Sequence, residues 1–156
     1  MNYAISVNPE VCTGCKTCEL ACALYREKEC NPDRARVKVY RREEKGLVNA
    51  VPVLCRHCDE PACLPACPTG AIFRDGKKNL VRIDEEPCTA CGECVRACPI
   101  EAPQVDEQKG IAVACDLCDG APQCVELCHS GSLSWTPYNP QEKGFQIDHL
   151  RNAIKA

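Results

Sequence analysis

The stretch Cys88–Pro99 reads CTACGECVRACP and sets cysteines at 88, 91, 94 and 98 in the spacing C-x2-C-x2-C-x3-C. Residues 12–22, CTGCKTCELAC, repeat that spacing with Cys12, Cys15, Cys18 and Cys22. Two looser copies complete the pattern. CRHCDEPACLPACP carries Cys55, Cys58, Cys63 and Cys67 as C-x2-C-x4-C-x3-C, and CDLCDGAPQCVELC carries Cys115, Cys118, Cys124 and Cys128 as C-x2-C-x5-C-x3-C. Repeated quartets at this regularity say more about architecture than local propensity does. Of the 17 cysteines, Cys30 alone falls outside them.

Working outward, 156 residues allow one domain or two very small ones. A chain this rich in cysteine is cross-linked by disulfides or by metal. It holds two Phe, one Trp and one Met. A globule of this size normally buries roughly 68–70% of its unfolded surface around hydrocarbon, and these side chains are too few for that. No apolar run approaches the roughly 20 residues of a membrane span. The opening MNYAISVNPE has no basic n-region and no apolar h-region of a secretory signal. The expected setting is therefore cytoplasmic and reducing, where dense cysteine means metal. The formal net charge of −3, with mixed signs, leaves no nucleic-acid footprint. GxGxxG, P-loop and HExxH motifs are missing from the sequence, and no nucleophile–base set stands out, so no residue is expected to be catalytic.

Three cysteines at C-x2-C-x2-C wrap a loop around one face of an iron–sulfur cubane, each thiolate taking one iron. The fourth, three residues on, sits one turn into a short helix and ligates the other cluster of a pair, as in bacterial two-cluster ferredoxins. Sixteen such ligands predict four [4Fe-4S] clusters. Gly14, Gly92 and Gly120 suit close backbone approach in these loops. Each oxidised four-thiolate cubane adds about −2, taking the folded chain to roughly −11. Zinc is the competing metal, since all-cysteine zinc sites also use C-x2-C. They combine separated pairs, however, and give a third cysteine three residues on no role.

The second and third quartets are joined by CPTGAIFRDGKKNLVRIDEEPC. AIFR and LVRI flank Asp75-Gly76, which reads as a hairpin. These two quartets should form one ferredoxin unit. Cys98 would then join Cys55, Cys58 and Cys63, and Cys67 would join Cys88, Cys91 and Cys94. The first and fourth quartets are left for each other. YAISV before the first and SLSWT after the fourth match an outer strand pair, and ARVKVY with GIAVAC match a central hairpin split open. Cys128 would join Cys12, Cys15 and Cys18, and Cys22 would join Cys115, Cys118 and Cys124. The rival is sequential pairing, first with second and third with fourth. The expected fold is α+β: two bacterial-ferredoxin-like modules, one nested inside the other, with small strand pairs and short helices around four cubanes. Residues 1–48 with 104–138 form the outer module, 49–103 the inner one, and 139–156 a tail.

The four motifs, in this order over residues 12–128, resemble the four-cluster ferredoxin-like electron-transfer subunits of molybdenum and tungsten oxidoreductases and related hydrogenase partners. The NPDRARVKV segment and the compact fourth quartet look most like the small iron–sulfur subunits beside tungsten enzymes of the aldehyde oxidoreductase type, a type that includes benzoyl-CoA-reducing ones. The resemblance implies a non-catalytic subunit relaying single electrons. Its partners would be a large tungsten- or molybdenum-pterin catalytic subunit and a flavin subunit, quinone or ferredoxin. The alternatives are a free polyferredoxin, self-associating into longer wires, a carrier linked to hydrogenase or formate dehydrogenase, or a zinc-structured interaction module. Ala23 and His129 stand where the family often has proline after the fourth cysteine.

Other residues carry weaker signals. Pro68 and Pro99 should end the helices after Cys67 and Cys98. His129 reads as an exposed helix end, or as a charge that tunes the adjacent cluster. Cys30 is expected to be small and buried, His57 to face solvent, and Trp135 to pack in the core. Arg34, Arg36 and Lys38 alternate with Ala35, Val37 and Val39, which predicts a solvated strand edge; docking to an acidic partner and compensation of cluster charge are the functional versions. In the tail, Phe145, Ile147, Leu150 and Ile154 are loosely helix-periodic, giving either a cap on the chain's own module or an anchor for a partner.

Overall fold

Each quartet delivers its third cysteine to the start of a helix. In the computed structural model, which describes residues 3–155 apart from the side chains of residues 142–145, these helices are α1 (Thr17–Glu27), α2 (Cys63–Ala66), α3 (Glu93–Ala97) and α4 (Gln123–Glu126). One turn carries the chain three to four residues, so the fourth cysteine lies at or just beyond the end of the short helices. Cys67 and Cys98 cap α2 and α3, their N–H groups donating to Leu64 and Val95 carbonyls. Pro68 and Pro99 follow at once and bar continuation. Ala23 follows Cys22 without that barrier, and α1 runs on to Glu27, 11 residues in all, with Ala23 fully buried. The helices pack α1 on α4 and α2 on α3.

Among the described residues, four separate two-stranded antiparallel sheets frame these helices. β1 (Tyr3–Val7) pairs with β8 (Leu133–Pro137), with Tyr3 opposite Pro137 and Val7 opposite Leu133, which is the expected outer strand pair. Tyr3 and Trp135 stack across it with centroids 5.5 Å apart, and Trp135 packs against the core. β4 (Ile72–Asp75) and β5 (Leu80–Ile83) form the expected inner hairpin, whose turn is held by the Lys77 N–H donating to Asp75 Oδ1.

The remaining strands differ from expectation. β2 (Val37–Glu44) pairs with β3 (Leu47–Leu54), and β6 (Gln104–Asp106) with β7 (Ile111–Val113). The segments read as a split central hairpin therefore do not pair as strands; each finds a local partner. Turn chemistry explains this. Lys45 and Gly46 both have positive φ, 51° and 78°, as a two-residue type I′ turn requires. Asp106 Oδ1 accepts the Gln108 and Lys109 N–H groups and closes the other turn. The expected module boundary at 48/49 falls inside β3.

The main core joins Ile5, Val37, Val53, Leu54, Leu133 and Leu150 with Cys18, Cys22, Cys55, Cys115 and Cys124. Thiols thus take the place of missing hydrocarbon. A satellite core holds Ile72, Val81, Cys94 and Ala112. The tail forms α5 (Pro140–Lys155) and lies on the chain's own body. Leu150 is 1% exposed. Gln146 Oε1 accepts the Val7 N–H and an Arg56 N–H, while Gln146 Nε2 donates to Ser6 Oγ. Ile147 and Ile154 pack against the core, and the Phe145 side chain lies outside the described residues.

Arg34 and Arg36 do not form a solvated edge. Glu27, whose side chain is 4% exposed, pairs with Arg34, Arg36 and Lys109. Arg34 also holds Asp106, and Arg36 holds Asp116, which Arg26 pairs as well. Buried carboxylates require such partners. Lys38 donates instead to the Pro32 carbonyl. Asp119 ties the fourth-quartet loop to the inner hairpin through Lys78 and Arg82.

The first-quartet loop presses on β3: a Cβ at Gly14, φ 69°, would sit 3.1 Å from Ala50 Cβ. Gly14→Ala should lose about 1–2 kcal/mol of stability from the left-handed backbone alone and more from that contact. Gly70→Ala, with the same φ and open space, should lose less in parallel thermal melts. Truncation after Asn139 removes Gln146 and Leu150; thermal melting of the metal-loaded protein should show a lower Tm, and an unchanged Tm would reject the cap.

Candidate metal centres

The four cysteine loops share one backbone feature. The residue two places after each first cysteine is left-handed: Gly14, His57, Ala90 and Leu117, with φ of 69°, 47°, 54° and 58°. The first and third loops repeat the turn two residues later, at Lys16 and Gly92. Left-handed residues in such turns build backbone nests, in which successive N–H groups gather on one side and favour an anion. Only glycine adopts this conformation without cost. His57, Ala90 and Leu117 bear strain that an anionic guest would offset.

Inside each loop the thiols crowd one another. Burial pushes the Cys55 thiol up to about 12, and neighbouring Cys58, Cys63 and Cys98 raise it further. Burial also lifts Cys63 to about 11, with Cys98 and Cys58 next to it. Burial and Glu19 hold Cys18 near 12, with Cys12 and Cys15 adding to the rise. Cys124 is lifted to about 12 by burial, then by Cys22 and Cys118. Cys115 is raised by burial and by Cys124 and Cys22. Cys94 is raised by burial and by Cys88 and Cys91. Cys67, Cys88, Cys91 and Cys94 line one small cavity with Thr69, Gly92 and Ala112. Thiols of different groups also lie close enough to raise one another: Cys18 acts on Cys124, Cys55 on Cys115, and Cys94 on Cys63.

Backbone N–H groups reach the sulfurs. Arg36 N–H donates to Cys22 Sγ at 3.2 Å, Ala102 to Cys98 at 3.4 Å, Ala112 to Cys88 at 3.2 Å and Leu133 to Cys128 at 3.4 Å. Hydroxyls two residues past a cysteine add to these. Thr69 Oγ1 lies 3.6 Å from Cys67 Sγ and Ser130 Oγ 3.7 Å from Cys128 Sγ. Thr17 lowers the Cys15 thiol through its hydroxyl and N–H. The sequence carried this Cys-x-Ser/Thr signal at 15–17, 67–69 and 128–130. The four N–H donors could not be read from it, because each N–H–sulfur contact is set by the fold rather than by a residue type.

Two histidines settle differently. His57 is buried rather than solvent-facing: its left-handed backbone turns the ring inward, where Nδ1 accepts the Val81 N–H at 3.1 Å and stands 3.8 Å from Cys55 Sγ. His129 is exposed, and its Nδ1 stands 3.8 Å from Cys15 Sγ. Cys30, expected to be buried, is exposed, because α1 ends at Lys28 in a left-handed turn.

All 17 cysteines are free thiols. Among the described residues no three His, Cys, Asp or Glu side chains converge as one small ion requires. Thiol-only donors, nest backbones and N–H donors to sulfur fit an iron–sulfur group, whose charge they would offset. Metal coordination ionises buried thiols outright, so loading these sites must release protons.

Comparison with known proteins agrees. Residues 46–137 match the 4Fe-4S dicluster domain family, and residues 9–25 match a 4Fe-4S binding domain. The polyferredoxin-like subunit of aliphatic sulfonate oxidoreductase from Pyrococcus furiosus is 42% identical over 125 residues, 80% of this chain and 70% of that one. The B subunit of anaerobic dimethyl sulfoxide reductase from Escherichia coli is 35% identical over 159 aligned positions, 90% of this chain and 76% of that one. A subunit in the active site complex BamBC of benzoyl coenzyme A reductase superposes with a TM-score of 0.52 at 25% identity, over 99% of this chain and 92% of that one. The protein belongs to the 4Fe-4S dicluster family and is an iron–sulfur electron-transfer subunit of an oxidoreductase.

Proposed function

We propose that the chain holds four [4Fe-4S] clusters and relays single electrons through them beside a large tungsten- or molybdenum-pterin catalytic subunit. The observation that carries this reading is the way thiols of one quartet stand among those of another, Cys98 with Cys55, Cys58 and Cys63, and Cys22 with Cys115 and Cys124. The ligand sets are Cys12, Cys15, Cys18 with Cys128; Cys22, Cys115, Cys118 with Cys124; Cys55, Cys58, Cys63 with Cys98; and Cys67, Cys88, Cys91 with Cys94. Packing of α1 on α4 and α2 on α3 favours nested modules over sequential pairing.

When bound, such clusters supply one-electron chemistry at potentials within about −700 to +450 mV. The protein's part is to fix the thiolates, bring N–H groups to the sulfurs and keep water away. The electrostatic influence of Cys18 on Cys124, Cys55 on Cys115 and Cys94 on Cys63 supports one line of sites. Its ends are the sites of Cys15 and Cys91, both exposed. One end would face the catalytic subunit, and the other a flavin subunit or ferredoxin.

The names of the relatives support a subunit that works in a complex, and the sequence resemblance favours tungsten within the metal-pterin class. No helix among the described residues is long and apolar enough to cross a membrane. We place the protein in the cytoplasm, on a cysteine content that a reducing compartment directs to metal.

Anaerobic purification from the native host should give about 16 iron per chain, four per cubane, together with a large subunit containing tungsten or molybdenum. Iron without that subunit would favour a free polyferredoxin, and a colourless zinc protein would overturn the proposal. Ligand exchange between the second and third quartets has its own test. Cys98→Ser should alter the EPR signal of the cluster held by Cys55, Cys58 and Cys63, and leave that of Cys88, Cys91 and Cys94 in place. A change instead in the signal of the cluster held by Cys115, Cys118 and Cys124 would restore sequential pairing.

A further inference from the structure

β7 is a three-residue strand with one ladder partner, β6. Its other edge does not face solvent. At the middle residue, the Ala112 N–H donates to Cys88 Sγ at 3.2 Å across 24 residues of chain. Ala112 is 4% exposed and packs in the satellite core with Ile72, Val81 and Cys94. It also lines the cavity formed by Cys67, Cys88, Cys91 and Cys94. The N–H donors to Cys98 and Cys128 come from four and five residues further along. Ala112 instead comes from the segment past the third quartet, on the way to the fourth.

We propose that the Ala112 backbone N–H is the positioning group that sets the electron affinity of the site formed by Cys67, Cys88, Cys91 and Cys94. This rests on the cluster assignment proposed above. The hydrogen bond places a partial positive charge against a ligand sulfur, at a donor that is itself 4% exposed. Added negative charge is stabilised there, so the midpoint potential is raised. The hairpin β6–β7 begins six residues after Cys98 and leads into the fourth quartet. The terminal site of one cysteine pair is therefore tuned by a strand belonging to the other. Displacement of β7 on assembly with a partner would lower that one potential and leave the rest alone.

The test is an EPR-monitored redox titration of the assembled, iron-loaded protein. Ala112→Pro deletes the N–H, and one signal should move to lower potential with the others unchanged. Ala112→Gly keeps the N–H and removes only packing; it should lower the Tm and leave all midpoints in place. Should Ala112→Pro lose iron, replacement of Ala112 by lactic acid swaps the amide for an ester and removes the same N–H with the side chain kept. Full iron with every midpoint unchanged in the Pro or the ester variant would overturn the inference. Loss of iron–sulfur signals from the unmodified protein would instead strike the cluster assignment itself.

Discussion

The constraint on which this fold depends is the burial of thiolate charge. Cys18, Cys22, Cys55, Cys115 and Cys124 sit in the main core beside Ile5, Val37 and Leu54. Left as bare anions there, they would be prohibitively costly. Two devices answer this. The loops turn left-handed at Gly14, His57, Ala90 and Leu117, which gathers N–H groups toward the sulfurs. Arg36, Ala102, Ala112 and Leu133 then donate N–H groups from outside the loops. Strain at Ala90 and Leu117 would be offset by an anion held in the loop.

The same charge explains the ion lattice around the fourth quartet. Arg26 and Arg36 are held on Asp116, and Arg36 reaches Glu27. Both arginines also stand close enough to the thiols of this site to interact with them, Arg36 with Cys22 and Arg26 with Cys118. A cation pinned by carboxylates keeps its position when the neighbouring site changes charge, so less reorganisation accompanies each electron. Arg82 and Lys78 extend the lattice to the inner hairpin through Asp119. The short sheets share no strands, and these ionic ties with the β7 edge do the joining that a continuous sheet does in other folds.

Much of this was written in the spacing. The quartets named every candidate ligand, the three-residue interval put the fourth cysteine at the helix end, and Asp75-Gly76 marked the inner hairpin. YAISV and SLSWT found each other across the whole chain because both alternate toward one core. ARVKVY did not pair with GIAVAC, since Lys45-Gly46 offered β2 a nearer partner at the small entropic cost of a two-residue loop. The alternating Arg34 and Arg36 looked like a solvated edge because sequence shows polarity and not what lies opposite. The buried Glu27, Asp106 and Asp116 that claim them come from three different segments.

By itself the sequence determined the chemistry: sixteen thiols at cubane spacing, too little hydrocarbon to fold around, and helices timed to the third and fourth cysteines. These follow from residue type and interval, which the chain carries locally. Tertiary structure alone decided which N–H reaches which sulfur, why His57 turns inward, and that the tail seals its own module through Gln146 and Leu150. The contacts of Gln146 join positions 139 and 140 residues apart, and that of Ala112 with Cys88 spans 24. A backbone N–H has no letter in the sequence, so its partner is fixed only when the chain has packed.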